Sequence, residues 1–311
     1  MKHNRRLLTK VLPLLVILIV VGAAVSGCAG RQQPRGWSGA TVVGDALFVA
    51  SIEGNLAAIN ISDGSRLWPD SILGGSDSEI AIYGNPAVEG ELIYVGGYNG
   101  KVYAVNSGLG ALRWIYPRED NLEPIVGGLV VSQGRVYFGC SDGKVYTLDA
   151  ATGDRVGEPF QTGDKIWSTP VIDGDTLYVG SFDKRLYALD IGSGNEKWHF
   201  EAGGAIGSTP LVYDDTVYIG SFDGRFYAVN AADGSLRWQS EIEATSWFWA
   251  KPVAYNNVIY APCLDGKIYI LDAENGREVA GTVDLMSQIS SSPVMVGDKV
   301  IVASQEGRCT S

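Results

Sequence analysis

The chain has 311 residues, 46% hydrophobic and 19% charged, with 40 glycines, 15 tyrosines, 8 tryptophans and 2 histidines. So many aromatic and aliphatic side chains exclude a disordered chain, and glycine at irregular short intervals excludes a collagen-like one. With 35 acidic against 24 basic residues, net −11, the chain lacks the basic footprint a phosphate backbone demands, and nucleic acid is not expected as a partner.

Residues 1–10 hold Lys2, Arg5, Arg6 and Lys10 and no acid, and residues 11–25 are almost wholly apolar. This is the layout of a secretory signal, and an apolar run of about 15 residues is short for a transmembrane helix, which needs roughly 20. The run ends Val25-Ser26-Gly27-Cys28, which resembles the bacterial lipoprotein signal. That resemblance implies removal of residues 1–27 and lipidation of Cys28; an ordinary signal cleaved nearby, with Cys28 incidental, is the alternative. Residues 28–36 read as a short tether between lipid and folded domain, and residues 37–311 as the domain itself. Cleavage takes away four Lys and Arg residues and no acid, so the exported chain is more acidic still.

From residue 37 onward the chain repeats itself. FVASIEGNLAAINISDGSRLW (48–68) is followed by YVGGYNGKVYAVNSGLGALRW (94–114), YFGCSDGKVYTLDAATGDRVG (137–157) and YVGSFDKRLYALDIGSGNEKW (178–198). YIGSFDGRFYAVNAADGSLRW (218–238) and YAPCLDGKIYILDAENGREVA (260–280) complete six copies, and VIVASQEGRCTS begins a seventh. A shared turn position falls at 54, 100, 143, 184, 224, 266 and 307, a period of 40 to 46 residues, which is that of a propeller blade.

Within a copy, Tyr218-Ile219-Gly220-Ser221 and Phe226-Tyr227-Ala228-Val229 alternate as strands, and Asp223-Gly224 between them signals a two-residue type I′ hairpin. Thr209 to Val212 forms an inner strand upstream and Ser235 to Trp238 a fourth downstream. Four antiparallel strands per copy cannot bury both faces alone, so the copies are expected to stack radially as an all-β propeller of six full blades and a partial seventh.

Asn60, Asn106, Asp149, Asp190, Asn230 and Asp272 each stand four residues before a glycine: Gly64, Gly110, Gly153, Gly194, Gly234 and Gly276. Four copies add Trp68, Trp114, Trp198 or Trp238 four residues later. The pattern resembles the tryptophan-docking motif of the PQQ-type β-propellers, the superfamily shared by quinoprotein dehydrogenases and the BamB-like outer-membrane assembly lipoproteins. A structural role suffices: the Asp or Asn accepts turn N–H groups, glycine supplies a left-handed conformation, and the ring buries against the next blade while its N–H finds a carbonyl. Copies three and six carry Gly157 and Ala280 in place of Trp, so two junctions must pack differently.

In the seventh copy Arg308-Cys309-Thr310 align with Lys267-Ile268-Tyr269, and the third and fourth strands are expected to be missing. Two readings stand: a truncated or frameshifted relative of a seven- or eight-bladed protein, or closure with a half blade. Either leaves an open edge at residues 299–305 that invites self-association.

Chemistry is sparse. His199, the sole histidine after cleavage, lies beside Trp198 at a strand end, and Cys140 and Cys263 hold equivalent places taken elsewhere by Ser181 and Ser221, where a small buried residue suffices. No spacing suggests a metal site or a phosphate loop. The dehydrogenases of the superfamily imply a calcium-assisted PQQ site, a catalytic aspartate and adjacent cysteines; this sequence has no Cys-Cys pair and no carboxylate outside the repeat pattern. No metal, no cofactor and no catalysis are therefore expected.

One constellation departs from the repeat. The segments leading into the inner strands read Ile166-Trp167-Ser168-Thr169-Pro170 and Ile206-Gly207-Ser208-Thr209-Pro210, whereas copy six reads Ser246-Trp247-Phe248-Trp249-Ala250-Lys251-Pro252. With Trp37 and Tyr83 in equivalent segments, aromatic rings should gather at one mouth of the channel, where they either seal the axis or dock a partner. The expected protein is a lipid-anchored, extracytoplasmic scaffold that binds proteins of the cell envelope. The BamB-like resemblance implies outer-membrane protein assembly. The alternatives are a quinoprotein enzyme or, in a host with one membrane, a surface sensor or carbohydrate-binding module.

Overall fold

A computed structural model of the chain describes residues 39–50, 55–68, 73, 80–305 and 309–310. Cys28, Trp37 and the expected signal and tether lie outside the described residues.

The strands fall into seven antiparallel sheets in chain order. The first holds β1 (Ala40–Val43), β2 (Ala46–Ala50) and β3 (Leu56–Asn60); the second β4 (Ala87–Glu89), β5 (Leu92–Gly96), β6 (Val102–Asn106) and β7 (Leu112–Tyr116). The third holds β8 (Leu129–Ser132), β9 (Arg135–Gly139), β10 (Lys144–Asp149) and β11 (Phe160–Gln161); the fourth β12 (Val171–Asp173), β13 (Thr176–Gly180), β14 (Arg185–Asp190) and β15 (Glu196–Glu201). The fifth holds β16 (Leu211–Tyr213), β17 (Thr216–Gly220), β18 (Phe226–Asn230) and β19 (Leu236–Gln239); the sixth β20 (Val253–Tyr255), β21 (Val258–Pro262), β22 (Lys267–Asp272) and β23 (Val283–Asp284). The seventh holds β24 (Val294–Val296), β25 (Lys299–Ala303) and β26 (Cys309–Thr310). Each sheet is an up-and-down meander, because short turns let consecutive strands pair as neighbours.

Two expectations about turns and edges are corrected. The Asp-Gly hairpins are not type I′, for positive φ falls only on the second residue, Gly143, Lys184, Gly224 and Gly266. The aspartate has a different task. Asp142 accepts the N–H of Lys144 (3.0 Å) and the hydroxyl of Tyr146 (2.7 Å), and Asp183, Asp223 and Asp265 repeat both bonds. The turn closes by Gly143 N–H to the Cys140 carbonyl, a longer loop ending in one left-handed residue. Two-residue turns with both φ positive do occur one hairpin earlier, at Gln133-Gly134, Asp214-Asp215 and Asn256-Asn257, joining inner to second strands. In the seventh sheet a short third strand is present: β26 pairs Val302 with Thr310 and Ala303 with Cys309, covering part of the edge expected to be open.

The blades join through a recurring device. Asn60, Asn106, Asp149, Asp190, Asn230 and Asp272 each accept turn N–H groups two or three residues on, as Asp149 does from Ala151 (3.0 Å) and Thr152 (2.8 Å). The indole N–H of Trp68, Trp114, Trp198 and Trp238 donates to the carbonyl of Ser107, Ala150, Ala231 and Ala273, each on the following blade. The ring lies over the glycine of that blade's turn: a Cβ on Gly153, Gly234 or Gly276 would sit 2.4–2.6 Å from Trp114, Trp198 or Trp238. Gly194 has the same positive φ but nothing within 4 Å, because the blade before it lacks the tryptophan. There Arg135 takes over and donates to the Ile191 carbonyl at 3.2 Å. Tyr94, Tyr137, Tyr178 and Tyr218 add hydroxyl bonds to the same row of carbonyls. In copies three and six the fourth strand shrinks to the two-residue β11 and β23, beyond isolated bridges Leu148–Arg155 and Leu271–Glu278.

Candidate functional site at the channel mouth

Each inner strand is preceded by a lead-in whose residues alternate between buried and accessible. Ile166, Ser168 and Pro170 are buried while Lys165, Trp167 and Thr169 are not, and Phe248, Ala250 and Pro252 are buried while Trp247, Trp249 and Lys251 are not. The buried set packs between blades, as Phe248 does against Phe226 (5.5 Å) and Tyr269 (5.6 Å). Phe248 is therefore a core residue and not part of an accessible mouth. The accessible set lies on the opposite face of the lead-in, since extended residues alternate faces.

Each lead-in is tied to the hairpin of its own blade. Phe182, Phe222 and Leu264 donate their backbone N–H groups to the carbonyls of Lys165 (3.0 Å), Ala205 (2.9 Å) and Trp247 (3.0 Å). The preceding Ser181 hydroxyl donates to the Asp164 carbonyl, and the Cys263 thiol donates to that of Trp247 in the same manner. Cys140 does likewise toward Glu123. Burial pushes both thiols up to about 12, so at neutral pH they are structural donors and not nucleophiles. His199 sits on exposed β15, paired with Glu196 at 2.7 Å.

These ties bring an aromatic arc together across blades four to six. Trp167 meets Phe182 at 4.6 Å and Trp249 at 6.0 Å; Phe182 meets Phe222 at 5.3 Å; and Phe222 stacks on Trp247 at 4.5 Å and 8° and lies 5.9 Å from Trp249. The Lys165 ammonium lies over Trp167 (4.4 Å) and Phe182 (4.6 Å), and the Trp167 indole donates to the Ser141 hydroxyl. Gly207 makes the arc possible: a Cβ there would stand 2.8 Å from the Phe222 ring. Trp247 keeps 50% of its surface exposed.

Of the residues singled out from sequence, Trp167, Trp247 and Trp249 meet in this arc. Tyr83 does not; it pairs with Tyr98 at 5.5 Å on blade two. Phe182, Phe222, Gly207 and Lys165 were missed. Their signal was available: the residue before each hairpin aspartate changes from Ser141 to Phe182, Phe222 and Leu264 while its neighbours repeat.

Radially stacked meanders, tryptophan-docked junctions and an axial mouth define a β-propeller of PQQ-type repeats. The chain belongs to the family described as outer membrane protein assembly factor BamB, whose model matches residues 23–166 and 159–311. It is 27% identical over 182 residues to the outer membrane protein assembly factor BamB of Shewanella oneidensis, covering 55% of this chain and 45% of that protein. The chain thus spans about half the length of the curated relatives it matches. A quinoprotein ethanol dehydrogenase of Pseudomonas aeruginosa is 24% identical over 159 residues, covering 47% of this chain and 25% of the dehydrogenase. The crystal structure of BamB from Moraxella catarrhalis superposes with a TM-score of 0.72 at 20% identity, covering 88% of this chain and 83% of that one, a likeness of fold.

Proposed function

We propose that this chain is a non-catalytic docking scaffold of the cell envelope with a part in outer-membrane protein assembly. The observation that carries the reading is the arc of Trp167, Phe182, Phe222, Trp247 and Trp249, five rings on a rigid base with Trp247 half exposed. Large rings fixed by packing offer binding area at little entropic cost, which is why they dominate interaction hot spots. The names of the family and of the Shewanella relative supply the process. Anchoring through a lipid on Cys28 would hold the scaffold at a membrane, with an extended or strand-like segment of the partner laid across the mouth.

The quinoprotein relative makes a redox enzyme the competing reading. Among the described residues no three His, Cys, Asp or Glu side chains gather where they could hold a metal ion. The residues that open the inner strands, Asn85, Thr169, Thr209, Lys251 and Ser292, include no carboxylate, and the lysine brings a like charge to a cation, so this set is a poor match for a calcium-assisted quinone.

The test is co-purification from the native envelope of the full chain and its W247A/W249A variant. Recovery of barrel-assembly subunits with the parent and their loss with a variant of unchanged thermal midpoint is the expected result. Recovery of none, or equal recovery with both, would remove the mouth from the proposal. Cys28→Ala should move the protein from the membrane fraction to the soluble one.

A further inference from the structure

Each apolar cluster of the described residues joins one pair of adjacent blades, from one and two through six and seven, and none holds residues of both seven and one. Burial shows the same break. On blade two, Ile93, Val95 and Val105 are fully buried and Tyr103 nearly so, because Phe48, Leu56 and Trp68 of blade one cover them. The positions 46 residues earlier, on blade one, are Leu47, Val49, Ala57 and Ile59, and all four are only half-buried. Val42, opposite Leu47 in the register of β1 and β2, keeps 58% of its surface exposed. On blade seven the face turned away from blade six carries Val294 and Val296, each 54% exposed, with Ile301 opposite Val294.

Blade one also presents a docking turn that no described residue fills. Ser107, Ala150, Ala231 and Ala273 each follow the docking Asn or Asp, and each carbonyl takes an indole N–H from the preceding blade. Ile61 is the same residue of blade one. Its N–H is bonded to the Asp45 carbonyl at 2.9 Å, but among the described residues no side chain donates to its own carbonyl. Gly64, at φ 74°, has nothing within 4 Å of the place a Cβ would occupy, where Gly153, Gly234 and Gly276 have an indole ring at 2.4–2.6 Å. Gly194 is uncovered too, but the Ile191 carbonyl beside it is already taken by Arg135 and Tyr137. Among the described residues, an unfilled acceptor next to an exposed apolar strip is therefore confined to blade one, and it has the form that holds a tryptophan at four other junctions of this molecule.

We infer that the open face of blade one is an interaction surface for a β-meander of another polypeptide, apolar on both faces and carrying a tryptophan at the end of its outer strand. The indole bonds the Ile61 carbonyl and covers Gly64, while one apolar face packs on Val42, Leu47, Val49 and Ile59 and the other meets Val294, Val296 and Ile301. Repeats of this kind need a neighbour on each face, and an apolar strip left in water marks where one is wanted. A second copy of this chain fits less well, since its Trp68, Trp114, Trp198 and Trp238 are already docked within it. The surface lies on blade one and the aromatic arc on blades four to six, so the inference is independent of the assembly reading and of its test.

The experiment uses the folded full chain and a probe built from its own repeat: residues 205–242, the lead-in and four strands of blade five, on a soluble carrier, with Trp238 or with Trp238→Ala. Native mass spectrometry reads stoichiometry and fluorescence polarisation reads affinity. One probe should bind per chain, and Trp238→Ala should weaken binding about tenfold or more, as loss of an anchoring ring and its bond requires. Val42→Asp and Val294→Asp in the full chain, both at exposed positions, should each weaken it by a similar factor. Leu109→Asp, at a 77% exposed position of blade two outside this face, should change it little. The inference is overturned if the probe does not bind, if both probes bind alike, or if Val42→Asp leaves binding unchanged. A dimer of the chain that the probe does not dissociate gives the face to a second copy and overturns it as well. Comparison of the two probes on the parent chain decides even where a variant of the chain folds poorly.

Discussion

The second and fourth junctions, where Trp114 and Trp198 reach across to the next blade, contrast with the junction between blades three and four, where no tryptophan is available. At the first kind a ring covers a bare glycine and its N–H satisfies a carbonyl; at the second a guanidinium satisfies the equivalent carbonyl and the glycine, Gly194, stays open. What persists is the buried acceptor that must be paired, and what varies is the apolar cover. A junction is therefore a hydrogen-bond requirement to which packing is added where the sequence supplies it.

Loss of a ring should be the largest perturbation. Trp238→Ala, at a buried ring whose N–H bonds Ala273 at 2.9 Å, should cost about 3–5 kcal/mol in equilibrium unfolding, whereas Arg135→Ala should cost about 1–2 kcal/mol because Tyr137 still donates to Ile191. Equal costs would mean that the ring's area contributes nothing beyond its bond.

Adding a methyl group sharpens the same contrast. Gly276→Ala meets both a left-handed backbone and the Trp238 ring at 2.4 Å and should cost about 2–4 kcal/mol, while Gly194→Ala meets only the backbone and should cost about 1–2 kcal/mol. Thermal midpoints measured side by side should rank the two in that order.

The smallest effect concerns pH. Hydrogen bonds from turn N–H groups, Thr152 for Asp149 and Ser193 for Asp190, hold both carboxyls below the usual carboxylate range. Their stabilisation is fully present above the unfolded value of about 3.9 and is lost as pH falls through the lower folded values. Asp190→Asn, which copies the amide of Asn60, Asn106 and Asn230, should flatten the acid limb of the midpoint-against-pH curve and leave neutral pH nearly unchanged. Cys140 and Cys263 should both resist thiol reagents in the native state at pH 8 and react on unfolding, since each thiol is buried and held near 12.

Much of the architecture was legible in the repeat. The period, the strand pairs, the docking turns and the odd junction after blade three follow from residues that recur at fixed spacing, because a repeat that cannot bury its own faces dictates stacking. The hairpin geometry was misread, since Asp-Gly alone does not reveal that the aspartate will be held by a tyrosine four residues on. The mouth was half legible. Trp167, Trp247 and Trp249 stood out against the repeat, but alternation buried Phe248, and Tyr83 found Tyr98 instead.

By itself, then, the sequence determined what each blade is: local alternation, turn residues and a repeated Asp or Asn are short-range instructions that a segment carries wherever it lies. Only the tertiary structure decided which side chains of different blades meet. Trp167 of blade four meets Trp249 of blade six at 6.0 Å, and Phe222 of blade five stacks on Trp247 of blade six at 4.5 Å. Both depend on distances between segments of different copies, which closure of the sheets around an axis sets and which no single repeat contains.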